Sequence, residues 1–439
     1  MTPRSTNARR GQRGSVMVQA LIVLAGLVAL LATLAANQRA ALDSIQNDLR
    51  DRRAEMAGQS AAARALAVLQ AANTNLVTAT DDWAQLGNGG STVFDLGGAT
   101  FRLQIIDAGS LINVNTASEQ QLTALPLVAQ QVDSLLDWRS AGTTPRANGA
   151  KDEYYNALDK PYNTKLGPLT TVSELLLIQG WTASGLLAPQ TTTVSTAPPL
   201  QDVSGNSLPL IDVLTVDSGA PNTQASGTAR INVGQGRLTA ATFNRAGVQG
   251  NAATQLATGG PYSTFQALLG RPGVTTAVAQ SLLQSVTVTT GTRLQGKINL
   301  NTATQSVLTS VPNVTPDIAT AIIAQQATGF STLGDLTKIA GLTGTRLAQV
   351  ADAFAVGSDT WIVRAYGESG GVGHAYEGVL GIRAGNARVL SWTKLPNAEV
   401  PLWWNWTDQP DAPVDAGSGQ TTAQSSVSTA TPRVTGAGQ

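Results

Sequence analysis

Hydrophobic positions along the chain follow three different rhythms. Residues 16–36 (VMVQALIVLAGLVALLATLAA) are apolar on every side, interrupted only by Gln19. At roughly 1.5 Å per residue a helix of that length spans about 32 Å, the thickness of a bilayer's hydrocarbon core. Past Asn37 the pattern turns amphipathic. Leu42, Ile45, Leu49, Met56, Leu66 and Leu69 return mostly to one face, with charged residues around the rest. No proline occurs between Pro3 and Pro126. The pattern predicts one helix from about Ser15 to Leu69, within a helical N-terminal region of 15–75, embedded in a membrane at its start and packed on a domain at its end. Arg4, Arg9, Arg10 and Arg13 precede the apolar run with no acid among them. That asymmetry holds the N-terminus in the cytoplasm and places the rest of the chain on the far side of the membrane.

The second rhythm has period two. It marks one or two strands within 90–110 (TVFDLGGATFRLQIID) and three antiparallel strands within 359–396 (DTWIVRAYGES, HAYEGVLGIRA, ARVLSWTKL), the last two joined by a turn at Gly385-Asn386. The third is a helical repeat lying between these strands. LINVNTASEQQLTALP from Leu111 and KINLNTATQSVLTSVP from Lys297 share apolar-Asn-apolar-Asn-Thr-Ala before a helix that stops at Pro126 or Pro312. Thr116 with Glu119 and Thr302 with Gln305 have capping-box spacing. A second motif follows each copy, LTTVSELLLIQGWT from Leu169 and FSTLGDLTKIAGLT from Phe330, and a third version is YSTFQALLGRPGVT after RINV at residues 230–233. Ile231 to Tyr262 is 31 residues and Ile298 to Phe330 is 32, whereas Ile112 to Leu169 is 57, so the first unit carries an insertion near SAGTTPRANGAKDEYYNALDKPYNT.

The expected fold class is therefore α+β: a long N-terminal helix packed on a small antiparallel sheet, with a large inserted all-α region. Its units run 111–189, 230–290 and 297–355. Residues 190–229, rich in Thr, Ser, Pro and Gly, read as a linker with one apolar patch, LPLIDVLTV. PLWWNW at 401–406 is expected to fold back onto the domain, an exposed partner surface being the other reading. Residues 407–439 are polar, low in complexity and expected to be disordered.

Composition narrows the chemistry. The 439 residues are 42% hydrophobic and carry 28 basic against 28 acidic groups, so no overall field draws the chain to nucleic acid or anionic lipid. With no cysteine there are no disulfides, thiolate metal sites or cysteine nucleophile. The single histidine, His374, sits among glycines and offers little for hydrolysis or zinc binding. No nucleophile and base pair up along the chain, and no enzyme activity is expected.

The N-terminus resembles a type IV pilin or pseudopilin leader, a short basic peptide ending in glycine. The resemblance implies cleavage by a prepilin peptidase after Gly14 (residues 1–14 being the leader), methylation of the new N-terminal Ser15, and retention of the apolar helix as anchor and assembly surface. Most such subunits carry glutamate at the fifth mature position; here it is Gln19, a trait of the K-type minor pseudopilin of the type II (general) secretion pathway. The ordered series Asp137-Trp138-Arg139, PRANGAKDEYY, Lys160-Pro161-Tyr162-Asn163 and LGPLTTVSELLLIQGWT resembles the same family. It implies a pilin-like fold in the inner membrane with the bulk of the chain in the periplasm. It also implies a place at the pseudopilus tip that helps initiate assembly for protein export, with the I-type and J-type minor pseudopilins and the major pseudopilin as partners. Bound calcium is implied too, but no D-x-D-x-D-G loop supplies its oxygens, and Asp152 and Glu153 read as solvated loop charges. The repeats resemble helix-hairpin-helix modules, whose DNA-binding members hold phosphate on a Gly-apolar-Gly turn. The alternative function, a membrane-anchored protein binding DNA during uptake, lacks those paired glycines. Its third unit sets Lys338 and Arg346 against Asp317 and Asp335, and a neutral module offers phosphates little.

Overall fold

A computed structural model describes residues 12–189, 197–202, 205–406 and 414–415. Most of the leader and nearly all of the tail expected to be disordered lie outside them. The helix predicted at the N-terminus is α1, Gln12–Gln70, a single element of 59 residues about 88 Å long. It starts a turn earlier than expected and stops short of 75. Ala71 and Ala72 donate to Val68 O and Leu69 O in a tightened last turn. The Gln70 amide grips a hairpin, donating to Gly385 O at 3.0 Å and accepting from Ala387 N at 2.8 Å.

The face of α1 that meets the sheet is not the one its large residues suggest. Leu42, Ile45, Leu49 and Met56 are exposed, and the buried positions are Ala54, Ala57, Ala61, Ala62, Ala65 and Leu69. Backbone approach explains the choice. A Cβ on Gly367 would stand 2.3 Å from Ala54 O and 2.6 Å from Gly58 N, and one on Gly58 would meet the Tyr376 ring at 2.3 Å. Only small residues allow the helix this close to the sheet.

The sheet comprises β1 (Val93–Asp95), β2 (Thr100–Asp107), β3 (Thr360–Ser369), β4 (Val372–Arg383), β5 (Asn386–Lys394) and β6 (Val414–Asp415). Their spatial order is β5-β4-β3-β2-β1-β6, antiparallel throughout except that β6 runs parallel to β1. β6 falls within the segment expected to be structureless and covers the β1 edge. Ala384 and Gly385, with φ of 53° and 79°, form the β4–β5 turn, one residue before the predicted Gly385-Asn386. Phe101, Leu103, Trp361, Val363, Ala365 and Leu380 point at α1.

Between β2 and β3 lie three units with a common closure. Each opens with a two-residue strand, Ile112–Asn113, Ile231–Asn232 or Ile298–Asn299, paired in parallel with Leu214–Thr215, Val286–Thr287 or Phe354–Ala355. In the outer units a second asparagine links the two sequence motifs. Asn115 accepts from Leu169 N and donates to Leu169 O, and Asn301 does the same with Phe330. The middle unit has Gly234 there, and Tyr262 N bonds Val233 O directly.

This closure corrects the expected linker. Leu214–Thr215 is the closing strand of the first unit, and Leu200, Leu210, Val213, Leu214, Val216 and Ala220 are buried, so the described part of 190–229 is core. It also carries charges that dock the units on the sheet. Asp217 accepts from Arg293 (2.8 Å) and from Arg383 of β4 (2.9 Å), Arg293 pairs with Asp359 (2.7 Å), and Asp212 pairs with Arg364 of β3 (2.7 Å). The capping expectation shifts by two residues. Ser118 caps its helix by accepting from Gln121 N, and Thr304 is the N-cap of Gln305–Ser310, while Thr302 instead donates to Asp107 at 2.6 Å.

The tryptophan cluster folds back as expected. Trp404 and Trp406 are buried, the Arg102 guanidinium lies 4.9 Å from the Trp406 ring centre, and the Trp406 indole donates to Gln104. Only Leu402 projects, 96% exposed.

The helix–sheet contact yields a test. Gly367→Ala should destabilise the domain by about 1–3 kcal/mol through overpacking. Gly26→Ala, whose Cβ meets nothing within 4 Å, should leave the denaturation midpoint of the detergent-solubilised protein unchanged.

Candidate functional site

Two regions carry the features that the sequence singled out. In the first, α1 leaves the domain as an unsupported rod: every residue from Val16 to Arg50 is exposed. It is one helix long and apolar enough to cross a membrane, with none of its apolar window buried. Gly14 and Ser15 lie within its first turn. Gln19 shares a face with Val16, Ala20, Val23, Leu24 and Leu27, and its uncharged amide is far less costly in hydrocarbon than a carboxylate. Thr33 satisfies its hydroxyl on Leu30 O at 2.8 Å. Leu42, Ile45, Leu49 and Met56 continue the apolar surface at spacings of three, four and seven, the rhythm of a helix–helix seam. At about 100° per residue this seam lies roughly 150° around α1 from the alanine face, so it is free while the sheet is engaged. His374, the lone histidine, meets Asp51 at 2.7 Å where the rod joins the sheet.

In the second region, the first helical unit, the family-like residues converge on one aromatic cluster. Trp138 and Tyr155 pack edge to face at 5.2 Å, and Tyr162 lies 5.3 Å from Tyr155 and 6.2 Å from Trp138. Each polar tip has a partner: Trp138 Nε1 donates to Glu174 Oε1 (2.8 Å), Tyr162 OH donates to Leu177 O (2.7 Å), and Tyr155 OH accepts from Gln179 N (3.2 Å). Arg139 donates to Val114 O and Ala117 O, tying the helix back to the opening strand. These residues therefore hold the long insertion onto the unit. Among the described residues no three of His, Asp or Glu converge as a metal site would need.

The hairpin turns can also be placed. Gly180, Gly247, Gly273, Asn313 and Gly341 all have positive φ, and Trp181, Val248, Val314 and Leu342 after them are buried. The helices that follow are closed at their N-termini by Thr182, Thr275 and Thr315, whose hydroxyls accept from Gly185 N, Val278 N and Ile318 N. One first-turn amide in each of these three helices is thus taken by a threonine, whereas the helices after Gly247 and Gly341, Gly250–Gly259 and Gly344–Val350, receive no side-chain cap hydrogen bond. Two basic groups of the third unit are engaged within the fold, Lys338 paired to Asp335 at 2.7 Å and Lys297 donating to Asp352 O, while Arg346 is exposed.

Acid should loosen the first unit through Glu174 and through Asp152, whose pKa the Thr164 amide lowers. Burial raises the Glu174 pKa, but Lys165, the Thr170 amide and the Trp138 indole more than reverse that and leave it below its ordinary 4.5. Its stabilisation is thus complete above 4.5 and is lost as pH falls through the lower folded value. Asp137 is shifted upward, chiefly by burial, so its protonation does not weaken the fold. Glu174→Gln should cost about 1–3 kcal/mol at neutral pH and flatten the acid limb of stability, read by denaturant unfolding at a series of pH values.

Comparison with known proteins agrees with this geometry. Residues 111–191 match the family model "Type II secretion system (T2SS), protein K", and residues 294–355 match the helix-hairpin-helix motif. A curated relative, "Type II secretion system protein K" of Pectobacterium carotovorum subsp. carotovorum, is 28% identical over 198 residues. That alignment covers 39% of this chain and 59% of the relative, so the chain spans somewhat over half the length of the curated protein it matches. Among solved structures, a chain of the GspK-GspI-GspJ complex of the enterotoxigenic Escherichia coli Type 2 Secretion System aligns over 81% of this chain and all of that one, with 15% identity and a TM-score of 0.47. The first helical unit thus matches the type II secretion protein K family model, and the chain that carries it resembles the K-type minor pseudopilin.

Proposed function

We propose that this chain is a minor pseudopilin of a type II secretion system, a non-enzymatic subunit held in the inner membrane by α1 with the sheet and helical units in the periplasm. The observation that carries this reading is that one unbroken helix serves two environments. Its first half is apolar on all sides and exposed, and its second half is built into a domain containing a protein K unit. A cleaved export signal would not need that continuity.

In this reading prepilin peptidase cuts between Gly14 and Ser15, Ser15 is methylated, and the apolar helix stays in the product. The segment around Gln19 then packs against the helices of sister subunits by van der Waals contact among its Ala, Gly and Leu residues, and the Leu42–Ile45–Leu49 seam continues that contact outside the lipid. I-type and J-type minor pseudopilins and the major pseudopilin are the proposed neighbours. The bulky inserted units stand over the sheet, where they would hinder another subunit from stacking above, which suits a tip position and a role in initiating assembly. DNA uptake is the weaker reading, since three of the hairpin helix ends are capped by threonines and Lys297 and Lys338 are engaged within the fold.

N-terminal sequencing of the mature protein should begin at methylated Ser15. An intact leader, or loss of the whole helix, would overturn the reading. Ile45→Asp should abolish co-purification with sister subunits from solubilised membranes while leaving the domain's unfolding midpoint unchanged, because residue 45 touches nothing in the isolated fold. Tight, salt-sensitive retardation of duplex DNA by the solubilised protein would instead favour the uptake reading.

A further inference from the structure

The first-unit insertion, residues 140–164, ought to be its least stable part, being long, Gly/Pro-punctuated and without a repeat counterpart. Family resemblance implies that calcium helps order the globular domain. The donor set here does not fit that ion. Asp137 Oδ2 accepts from Arg146 N at 2.9 Å, and Gly149 passes so close that a Cβ there would lie 1.9 Å from the same oxygen. Asp133 Oδ2 accepts from the backbone and side-chain amides of Asn148, at 3.0 and 2.9 Å. Asp152 Oδ1 accepts from Thr164 N at 2.7 Å, and Glu119 pairs with Arg146 at 2.9 Å. Asp137, Asp133 and Asp152 are thus engaged by the insertion's own backbone amides and Glu119 by its Arg146, whereas calcium requires six to eight converging oxygens.

A cation is nevertheless present at the root of the loop. Lys151 is 5% exposed, and its Nζ donates to Asp137 O, to Ser140 O at 2.9 Å and to Ser140 Oγ at 3.3 Å. Those three acceptors match the three N–H groups of an ammonium. They join the end of the helix Ala129–Arg139 to the point where the chain returns from the Pro/Gly loop. Burial lowers the Lys151 pKa, and the charges of Asp137 and Asp152 draw it back up.

We propose that the Lys151 ammonium is the insertion's built-in cation, gathering the oxygens at the base of the loop in place of a divalent metal, so that this unit is ordered independently of calcium. The inference goes beyond the pseudopilin assignment. It concerns only what holds residues 140–164, and co-purification with sister subunits tests the other question separately.

The test uses the full chain in detergent, once with a calcium chelator and once with excess calcium chloride. The thermal midpoint and the rate of limited proteolysis within residues 140–164 should be the same in both. Lys151→Met should raise cleavage in that segment roughly tenfold or more through local opening, in either condition. A calcium-dependent rise in midpoint, or calcium-dependent protection of the loop in the unmutated protein, would overturn the proposal, as would unchanged proteolysis of Lys151→Met. Should that variant not fold, calorimetric titration of the unmutated protein with calcium chloride decides it: no binding heat supports the proposal and saturable binding refutes it.

Discussion

The close approach of α1 to the sheet governs how the rest of this molecule can be used. A helix that lies against a sheet through Ala54, Ala57, Gly58 and Ala61 gains dense backbone packing and leaves its large side chains elsewhere. The division of labour along α1 is thus one of side-chain size. Small residues meet the domain, and Leu, Ile, Val and Met are left exposed along the projecting half and its seam. Exposed apolar surface of that extent is not stable in water, so the element is complete only with lipid or other helices around it. Assembly is in this sense a continuation of folding, with the same helix supplying both halves.

The inserted units depend on that platform through polar contacts. Asp107, at the end of β2, is wholly buried and accepts from Gly109 N, Asn299 Nδ2 and Thr302 Oγ1. Asn299 belongs to the opening strand of the third unit, so the point where the chain leaves the sheet is stitched to the unit that returns it. Burial raises the Asp107 pKa, but the convergent donors stabilise its charged form and oppose that shift. The pairs of Arg293, Arg383 and Arg364 with Asp217, Asp359 and Asp212 add a second set of links. Such desolvated pairs contribute less to net stability than to orientation, since a displaced partner would leave a charge without its counterpart. A bulky insertion held in one orientation over the sheet is what a capping subunit would require.

Much of this was legible from sequence because it is periodic. The two rhythms of α1, the strands of β3 to β5 and the three units follow from spacing alone, and the family-like series around Asp137 and Tyr155 led to the right cluster. What escaped was set by tertiary context. The helix face that packs was missed because alanine carries little hydrophobic signal, and the deciding partners, Gly367 and Tyr376, lie some three hundred residues away in sequence. Residues 190–229 were taken for a linker because Thr, Ser, Pro and Gly dominate them. Yet Leu214–Thr215 pairs with a strand about a hundred residues earlier, and a two-residue strand has too little pattern to be seen. The recurrence of Leu-Thr-Val at 214–216 and Val-Thr-Val at 286–288 was the available signal. Thr116 and Thr302 were read as caps because each stands three residues before a Glu or Gln, whereas the helices start two positions on, at Ser118 and Thr304, which only backbone geometry reveals.

The hairpin turns have a physical basis of their own. A tight turn between two short helices needs one residue in the left-handed region, supplied here by glycine or by Asn313, and then an apolar residue that plugs the core. Phosphate binding adds two further demands, helix-end amides left open and basic side chains around them. In this chain threonine hydroxyls take one amide at three of the helix ends, and two basic groups of the third unit are engaged, Lys338 with a neighbouring carboxylate and Lys297 with a carbonyl at the unit's closure. The turn packs well in its own right, and in the third unit Lys338 and Arg346 balance Asp317 and Asp335, so a charge-neutral unit keeps the same backbone.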